Sequence, residues 1–209
     1  MIIKESSFSI VLAGKWNPSI LTPAWLTVNL FDDNPQFQIE FSLNFDIPSR
    51  YKVKNITISP SVDRVILTSN DNSDESLNLL ESVAIKLCAI LSHTPLIAVG
   101  VNLGFIEKQN KNLLLPLMSF PDDNDITDNG WVISNQSIKR SLSKEGYFTN
   151  LTISLDQNSD FHFDFNYHYN AISANQVSAC LLNKVTDYKS QSIELLNQLF
   201  KLNIKENAE

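Results

Sequence analysis

Strict alternation of apolar and polar side chains in two segments is the feature that most constrains the fold. Residues 161–169, FHFDFNYHY, have aromatic side chains at every odd position and His, Asp, Asn and His at the even positions. Residues 37–47, FQIEFSLNFDI, alternate in the same way. Because successive side chains of a strand point to opposite faces, both segments are predicted to be strands with one buried and one wet face. Such strands are typical of an antiparallel sheet.

Two other segments have the spacing of amphipathic helices. The first is predicted over residues 73–93, with Asn72 or Ser73 as its N-cap and acidic residues in its first turn. Glu81 is predicted to lie on its polar face. The second is predicted as one continuous helix over residues 173–203.

The order of these elements occurs twice. The segment KNITIS at 54–59 precedes a strand and the first helix, and TNLTIS at 149–154 precedes the strand at 161–169 and the second helix. We interpret this as a weak internal repeat that forms a pseudo-twofold pair, with chance similarity of β-rich segments as the alternative.

The predicted fold is therefore α+β. An antiparallel sheet of two pseudo-repeated strand-strand-helix halves packs two long helices on one face. Residues 1–106 form the first half, with strands, the long helix and a buried strand. Residues 107–131 form a crossover loop, and residues 132–209 form the second half, with a strand hairpin and the C-terminal helix. The halves are expected to make one compact unit.

Charge and cysteine content narrow the choice of partners and compartment. The net charge is −7, which argues against binding along a nucleic-acid backbone, because such binding depends on Lys and Arg. Cys88 and Cys180 form no framework of paired cysteines, which fits a reducing compartment. The first residues are predicted to be a strand rather than a signal peptide. The longest apolar run, residues 96–106, falls short of the ~20 residues of a membrane helix. We expect a cytoplasmic protein.

The histidines are the candidate catalytic or metal-binding residues. His162 and Asp164 share one strand face at about 6–7 Å between their backbones, so they could bind a metal with ligands from elsewhere. His168 lies about 20 Å along the strand from His162. His93 is predicted to cap the end of the first helix, with catalysis as the alternative. The favoured interpretation is a wet sheet face without catalytic residues or a metal.

Other motifs give no chemical signature. The acidic stretch at 121–130 does not follow the EF-hand pattern, because Ser134 occupies the position of the bidentate Glu. Gly100 and Gly104 lie in an apolar strand and are not followed by the Lys-Ser or Lys-Thr of a phosphate loop. We expect no cofactor.

Trp16, Asn17 and Trp25 are the candidate contacts for a protein partner. The segment GKWNPSILTPAWL predicts a turn after Trp16 and a short helix capped by Thr22. Aromatic residues in such a segment usually belong to a core. The alternative is an exposed rim, since tryptophan is enriched at interfaces.

The stretches GKWNPSILTPAWL and LSHTPLIAVGVNLGF, followed by a late strand pair and helix, resemble a sporadically distributed family of uncharacterised bacterial proteins. Its members share an Asn-Pro turn, a following Pro-x-aromatic pair, and a His-Thr-Pro segment that leads into a Gly-x-Asn strand. The matching positions are Asn17, Pro18, Pro23, Trp25, His93, Thr94, Pro95, Gly100 and Asn102. Leu103 replaces the arginine that is usual after the asparagine. The resemblance implies a cytoplasmic bacterial protein without an established activity, so it transfers no catalytic residue.

These features favour a non-catalytic intracellular protein-interaction or regulatory module. Its partner is another protein or a second copy in a homodimer, and neither a membrane nor a nucleic acid is expected. The alternative is a metal-assisted hydrolase that uses the polar face of the strand at 161–169.

Overall fold

The computed structural model describes residues 1–4, 6–41, 49–144 and 147–203. Within these ranges, ten strands form one open antiparallel sheet, accompanied by six α-helices. The predicted α+β class with an antiparallel sheet is therefore confirmed. None of the described helices has both the length and the apolar character required to cross a bilayer.

In the sheet, strands from the first part of the chain lie on one side and strands from the later part lie on the other, and the two groups meet at the centre. They are β1 (Ile2–Ile3), β2 (Ser9–Gly14), β3 (Phe37–Glu40), β4 (Arg50–Val53), β5 (Ile56–Pro60), β6 (Arg64–Ser69), β7 (Leu96–Glu107), β8 (Gln136–Lys144), β9 (Tyr147–Leu155) and β10 (Phe161–Asn170). Their spatial order is β3-β4-β5-β6-β2-β7-β10-β9-β8, and β1 pairs with the end of β7. Among the described strands, β3 and β8 consequently stand at the two ends of this order.

The helices are short except for α2 and α6. They are α1 (Pro23–Leu30), α2 (Asp74–Ile90), α3 (Lys111–Leu114), α4 (Asp123–Asp128), α5 (Ala174–Leu181) and α6 (Val185–Phe200). As predicted, Thr22 caps α1, and its hydroxyl accepts the N–H of Trp25 at 3.3 Å. Ser73 caps α2 in the same way through the N–H of Ser76 at 3.2 Å. Local capping chemistry thus sets both starting points.

Strand β10 confirms the predicted alternation. Its odd-numbered aromatic side chains are buried and its even-numbered polar side chains, from His162 to His168, are partly exposed. On the buried side, Phe105 and Phe165 meet edge to face with ring centroids 5.9 Å apart. Tyr167 stacks on Tyr188 of α6 at 4.5 Å. One face of the sheet is therefore core, and the opposite face is polar.

The predicted continuous C-terminal helix is wrong, because it is broken between α5 and α6. Asn183 adopts a left-handed backbone conformation, with φ of 57°. Asparagine tolerates this conformation better than most residues. The first long helix also ends earlier than predicted, at Ile90, so His93 lies in the following turn.

Glu81 corrects a second expectation. Instead of lying on the polar face of α2, its side chain is buried and accepts three backbone N–H groups at the break before α6. Oε1 accepts the N–H of Asn183 at 2.7 Å. Oε2 accepts the N–H groups of Lys184 and Val185, each at 3.1 Å. Val185 is the first residue of α6 and Lys184 is its N-cap, and backbone N–H groups at a helix start lack intrahelical partners. A carboxylate of α2 therefore caps α6.

Two predicted boundaries also change. Of the strand predicted over residues 37–47, the structure describes β3, while residues 42–48 lie outside the described ranges. The predicted crossover loop contains α3, α4 and a 3₁₀ turn at Leu115–Met118. Leu114 and Met118 pack into the core, whereas the acidic residues of α4 stay on the surface.

The end of β7 holds a buried ion pair. The Met1 ammonium lies 2.9 Å from Oε2 of Glu107, and both groups are fully buried. Oε1 accepts the N–H groups of Gln109 and Asn110 at 2.7 and 3.1 Å. Burial raises the pKa of Glu107, but the hydrogen bonds and the ammonium outweigh it, so the net pKa is lowered. The ionised Glu107 carboxylate therefore stabilises the fold at pH values above the ordinary glutamate pKa, and this stabilisation is lost as the pH falls through the folded-state pKa.

Glu81→Ala is expected to lower the free energy of unfolding by at least about 2 kcal/mol, because three backbone donors lose a charged acceptor. Glu81→Gln, which keeps one acceptor oxygen, is expected to lose less. Urea unfolding followed by circular dichroism measures both values. Glu75→Ala, at an exposed position in the first turn of α2, is the control, with an expected loss below about 1 kcal/mol. Equal losses in Glu81→Ala and Glu75→Ala would contradict the capping role.

Candidate functional site

A row of hydrogen-bonded side chains crosses the polar face of the sheet. Its members lie opposite one another on β2, β7, β10, β9 and β8, and they are Ser9, Asn102, Asn166, Asn150 and Ser141. Asn102 Nδ2 donates to Ser9 Oγ at 3.1 Å, and Asn166 Nδ2 donates to Asn102 Oδ1 at 2.7 Å. Asn150 Nδ2 donates to Asn166 Oδ1 at 3.4 Å, and Ser141 Oγ donates to Asn150 Oδ1 at 2.7 Å. We call these five residues the amide row.

Two glycines of β7 leave space beside the amide row. A Cβ atom on Gly100 would lie 3.2 Å from Asn166 Nδ2. A Cβ atom on Gly104 would lie 2.7 Å from the Cβ of Ser7 and 3.1 Å from Asp164 Oδ1. These residues therefore permit close approach of side chains across the strands, which is a common reason for glycine within a strand.

Two cavities of similar size lie on this face and meet at Asp164. The first has a volume of about 370 Å³ and is lined by Ser7, Asn102, Lys139, Asn150, Asp164 and Asn166. The second has a volume of about 380 Å³ and is lined by Lys4, Asn135, Ser154, Asp156, His162 and Asp164. We call the two together the polar groove. It follows β10 from Asn166 to His162, about 13 Å at ~3.3 Å per residue.

His162 and Asp164 line the same cavity but have different partners. His162 Nε2 lies 3.2 Å from Oδ2 of Asp156, which belongs to the turn between β9 and β10. Asp164 Oδ1 lies 3.7 Å from the Lys4 ammonium. The groove thus contains both signs of charge within a short distance.

The β9–β10 turn fixes the Asp156 carboxylate. Its Oδ1 accepts the N–H groups of Asn158 at 2.9 Å and of Asp160 at 2.8 Å. The backbone N–H of Asp160, followed by the His162 ring, holds the pKa of Asp156 below its ordinary value. The carboxylate therefore stays ionised to a lower pH and orients the His162 ring.

The remaining histidines do not join this pair. His168 lies opposite Gly100, whereas His162 lies opposite Ile106 near the other end of β7. His93 is exposed in the turn before β7 begins. Across the ranges 1–4, 6–41, 49–144 and 147–203, no three His, Cys, Asp or Glu side chains are grouped so that they could hold a metal ion.

The tryptophan segment divides into buried and exposed parts. Trp16 is 5% exposed, and its Nε1 donates to the carbonyl of Leu12 at 2.9 Å. Trp25 is half-buried and packs against the core. Asn17 is exposed and its side chain accepts the N–H of Ser19 at 3.1 Å. Of the three candidates, the Trp16 ring is therefore buried, Trp25 is partly accessible and Asn17 is exposed.

Sequence reasoning missed Asp156 and the asparagines of the amide row as site residues. Asn150 and Asn166 occupy polar positions in alternating strands, so their face is predictable from the sequence. Their alignment with Asn102 depends on the register between β10 and β7, which are separated in the chain by β8 and β9 and are not joined by a hairpin.

Comparison with known proteins finds no family model that matches the chain and no similar curated protein.

His162→Ala is expected to raise the pKa of Asp156, because the mutation removes one of the hydrogen bonds that lower it. The pKa should nevertheless remain below the ordinary aspartate value, since the Asp160 N–H is the larger cause. Carboxyl carbon NMR titration measures both values. His168→Ala, which changes a histidine on the same face of the same strand, is the control and should leave the Asp156 pKa unchanged. An unchanged Asp156 pKa in His162→Ala would rule out the pairing in solution.

Proposed function

We propose that the protein is a non-catalytic interaction module that binds an extended polar segment of another protein in the polar groove. The observation that supports this most directly is the amide row, which fixes polar side chains in place across five neighbouring strands. None of the residues that line the two cavities of the groove belongs to a described helix.

Fixed side chains favour recognition for an energetic reason. Binding costs about 0.5–1.5 kcal/mol for each flexible side chain that becomes ordered at an interface. Asn102 and Asn166 are already held by their neighbours, so this cost is reduced at the centre of the groove. Each primary amide also has two N–H donors and an oxygen with two lone pairs. Such groups suit the peptide bonds of an extended chain.

The groove size and charges define the segment further. At about 13 Å, the polar groove has room for about four residues in extended conformation. The groove presents both charge signs, with the ammonium of Lys4 and the carboxylates of Asp156 and Asp164. A partner segment that combines a basic and an acidic side chain with polar neighbours therefore fits the groove better than a strongly charged one.

Simultaneous Asn102→Ala and Asn166→Ala substitutions are expected to weaken partner binding about 10- to 100-fold, since two hydrogen-bonding groups are lost at about 1–3 kcal/mol in total. The partner is first isolated by crosslinking to the wild-type protein, and its affinity is then measured by calorimetry. Asn78→Ala, at an exposed position of α2, is the matched control and should bind as the wild type does. Thermal unfolding checks that the double variant folds. A folded double variant with unchanged affinity would exclude the polar groove as the binding site.

A metal-assisted hydrolase is the second candidate, favoured by the position of His162 and Asp156 in one cavity with Asp164. His162 would act as a base or ligand, with Asp156 orienting its ring. Elemental analysis of the purified protein separates this candidate from the interaction module. Stoichiometric zinc or manganese that is absent from His162→Ala would favour the hydrolase.

We also propose a reducing compartment, such as the cytoplasm. Cys88 and Cys180 are free thiols, and burial raises the pKa of Cys88 to about 12. Burial also raises the pKa of Cys180. Such thiols remain protonated and unreactive at neutral pH.

An internal repeat is proposed on the strand order. The spatial orders β4-β5-β6-β2 and β8-β9-β10-β7 have the same connectivity. In each group the inner strand, β2 or β7, comes first in the chain, and these two strands pair at the centre of the sheet. Membership of the bacterial family that the sequence resembles is likewise a proposal. Two of the positions that carry the resemblance, Gly100 and Asn102, lie beside and in the amide row, respectively.

A further inference from the structure

The edge strand β8 has features that the polar groove does not explain. It is nine residues long and, within the described ranges, pairs with β9 alone. An edge strand presents unpaired backbone N–H and C=O groups that another strand can use. The opposite edge, β3, is only four residues long.

The charge of this edge is unlike that of the chain as a whole. Lys139 and Arg140 are adjacent in β8 and point to opposite faces, and neither forms an ion pair with another described residue. At the other edge, Lys52 of β4 is neutralised by Glu40 of β3 at 2.6 Å. In a chain of net charge −7, β8 thus carries two positive charges that no ion pair among the described residues neutralises.

A partly apolar depression lies beside β8 on the face that carries the core. A cavity of about 410 Å³ lies between β8 and α6, and one of about 320 Å³ lies where α3 and the 3₁₀ turn also approach them. Polar side chains, including Glu194 and Gln198 of α6, line much of the larger cavity. The apolar and basic residues of the two cavities, which we call the edge groove, are Leu113, Leu117, Arg140, Leu142, Leu195 and Leu199. Leu199 is 50% exposed and Leu113 is 57% exposed, so α6 does not cover this margin of the sheet.

We propose that β8 accepts an acidic, extended segment of a partner protein as an additional strand. Alternate side chains of that segment point to opposite faces. Acidic residues on the polar face lie against Lys139, and apolar residues on the other face enter the edge groove beside Leu142. Backbone hydrogen bonds supply affinity, and the two faces supply selectivity.

A second copy of the chain is a poorer occupant of this edge. Pairing of β8 with another β8 brings Lys139 and Arg140 of both copies into one strand pair, and like charges in such a pair are destabilising. The inference rests on the proposed interaction role and adds the edge of β8 and the edge groove to the polar groove, with which this surface shares Lys139.

The test uses a nine-residue blocked peptide of alternating Glu and Val, with a Lys and Val peptide as the matched control. We expect the Glu peptide to bind, to protect amides of β8 from hydrogen exchange, and to bind more weakly as salt is added. The Lys peptide should do none of these. Equal binding of both peptides, or binding without protection of β8, would overturn the inference.

Charge reversal in the protein supplies the complementary test. Combined Lys139→Glu and Arg140→Glu substitutions are expected to weaken Glu peptide binding at least tenfold and to promote binding of the Lys peptide. Lys15→Glu, at an exposed position away from β8, is the control and should change little. Unchanged Glu peptide affinity in the charge-reversed variant would contradict the proposal.

Two further outcomes separate this inference from the proposed function. The Asn102→Ala and Asn166→Ala variant should bind the Glu peptide normally, because its changes leave Lys139, Arg140 and the backbone of β8 in place. If the Glu peptide does not bind while partner binding still depends on those asparagines, the β8 inference is wrong and the proposed function is retained. If β8 amides become protected in a concentration-dependent dimer without peptide, a second copy is the occupant and the proposal is overturned.

Discussion

Burial of one face of a single antiparallel sheet is the interaction on which the rest of the structure depends. Phe161, Phe163 and Phe165 of β10 are almost completely buried, and full burial of such a side chain contributes about 1.5–3 kcal/mol. A shift of the strand by one residue would expose these rings and bury His162 and Asp164. The packing of the core therefore also determines which groups lie in the polar groove. The amide row is a consequence of the same register, because its members occupy the positions between the buried ones.

The elements that the sequence predicts correctly are those specified by neighbouring residues. Alternation identifies β10, and the hydroxyls of Thr22 and Ser73 identify the starts of α1 and α2. The break before α6 was missed because its causes are not local. An apolar stripe continues through it, and the left-handed conformation of Asn183 is accompanied by hydrogen bonds to Glu81, which lies 102 residues earlier. The spacing of apolar residues contains no information about such a distant acceptor.

The candidate site likewise combines residues whose positions follow from the local sequence with residues whose positions depend on distant parts of the chain. Alternation alone places His162 and Asp164 on the polar face of β10. Their partners are Asp156, in the β9–β10 turn, and Lys4, in the segment after β1. The positions of these partners depend on the conformation of that turn and on the pairing of β1 with β7. The alignment of the cross-strand asparagines likewise depends on the β9–β10 hairpin and on the long-range β7–β10 pairing. Aromatic residues in a segment such as that of Trp16 usually belong to a core, but the sequence leaves an exposed rim as the alternative. The packing of the folded chain buries Trp16.

The carboxylate that closes the start of α6 has a consequence for synthesis on the ribosome. Glu81 is made about a hundred residues before the backbone groups that it binds. During that interval its carboxylate lacks these donors, and its burial without them would be costly, so the packing of this part of α2 is completed only when α5 and α6 are present. Completion of α2 and α6 is therefore coupled, and the two sides of the sheet acquire their final stability together rather than as separately folding pieces. A chain cut between β7 and β8 would leave an acid without donors in one fragment and a helix without its cap in the other.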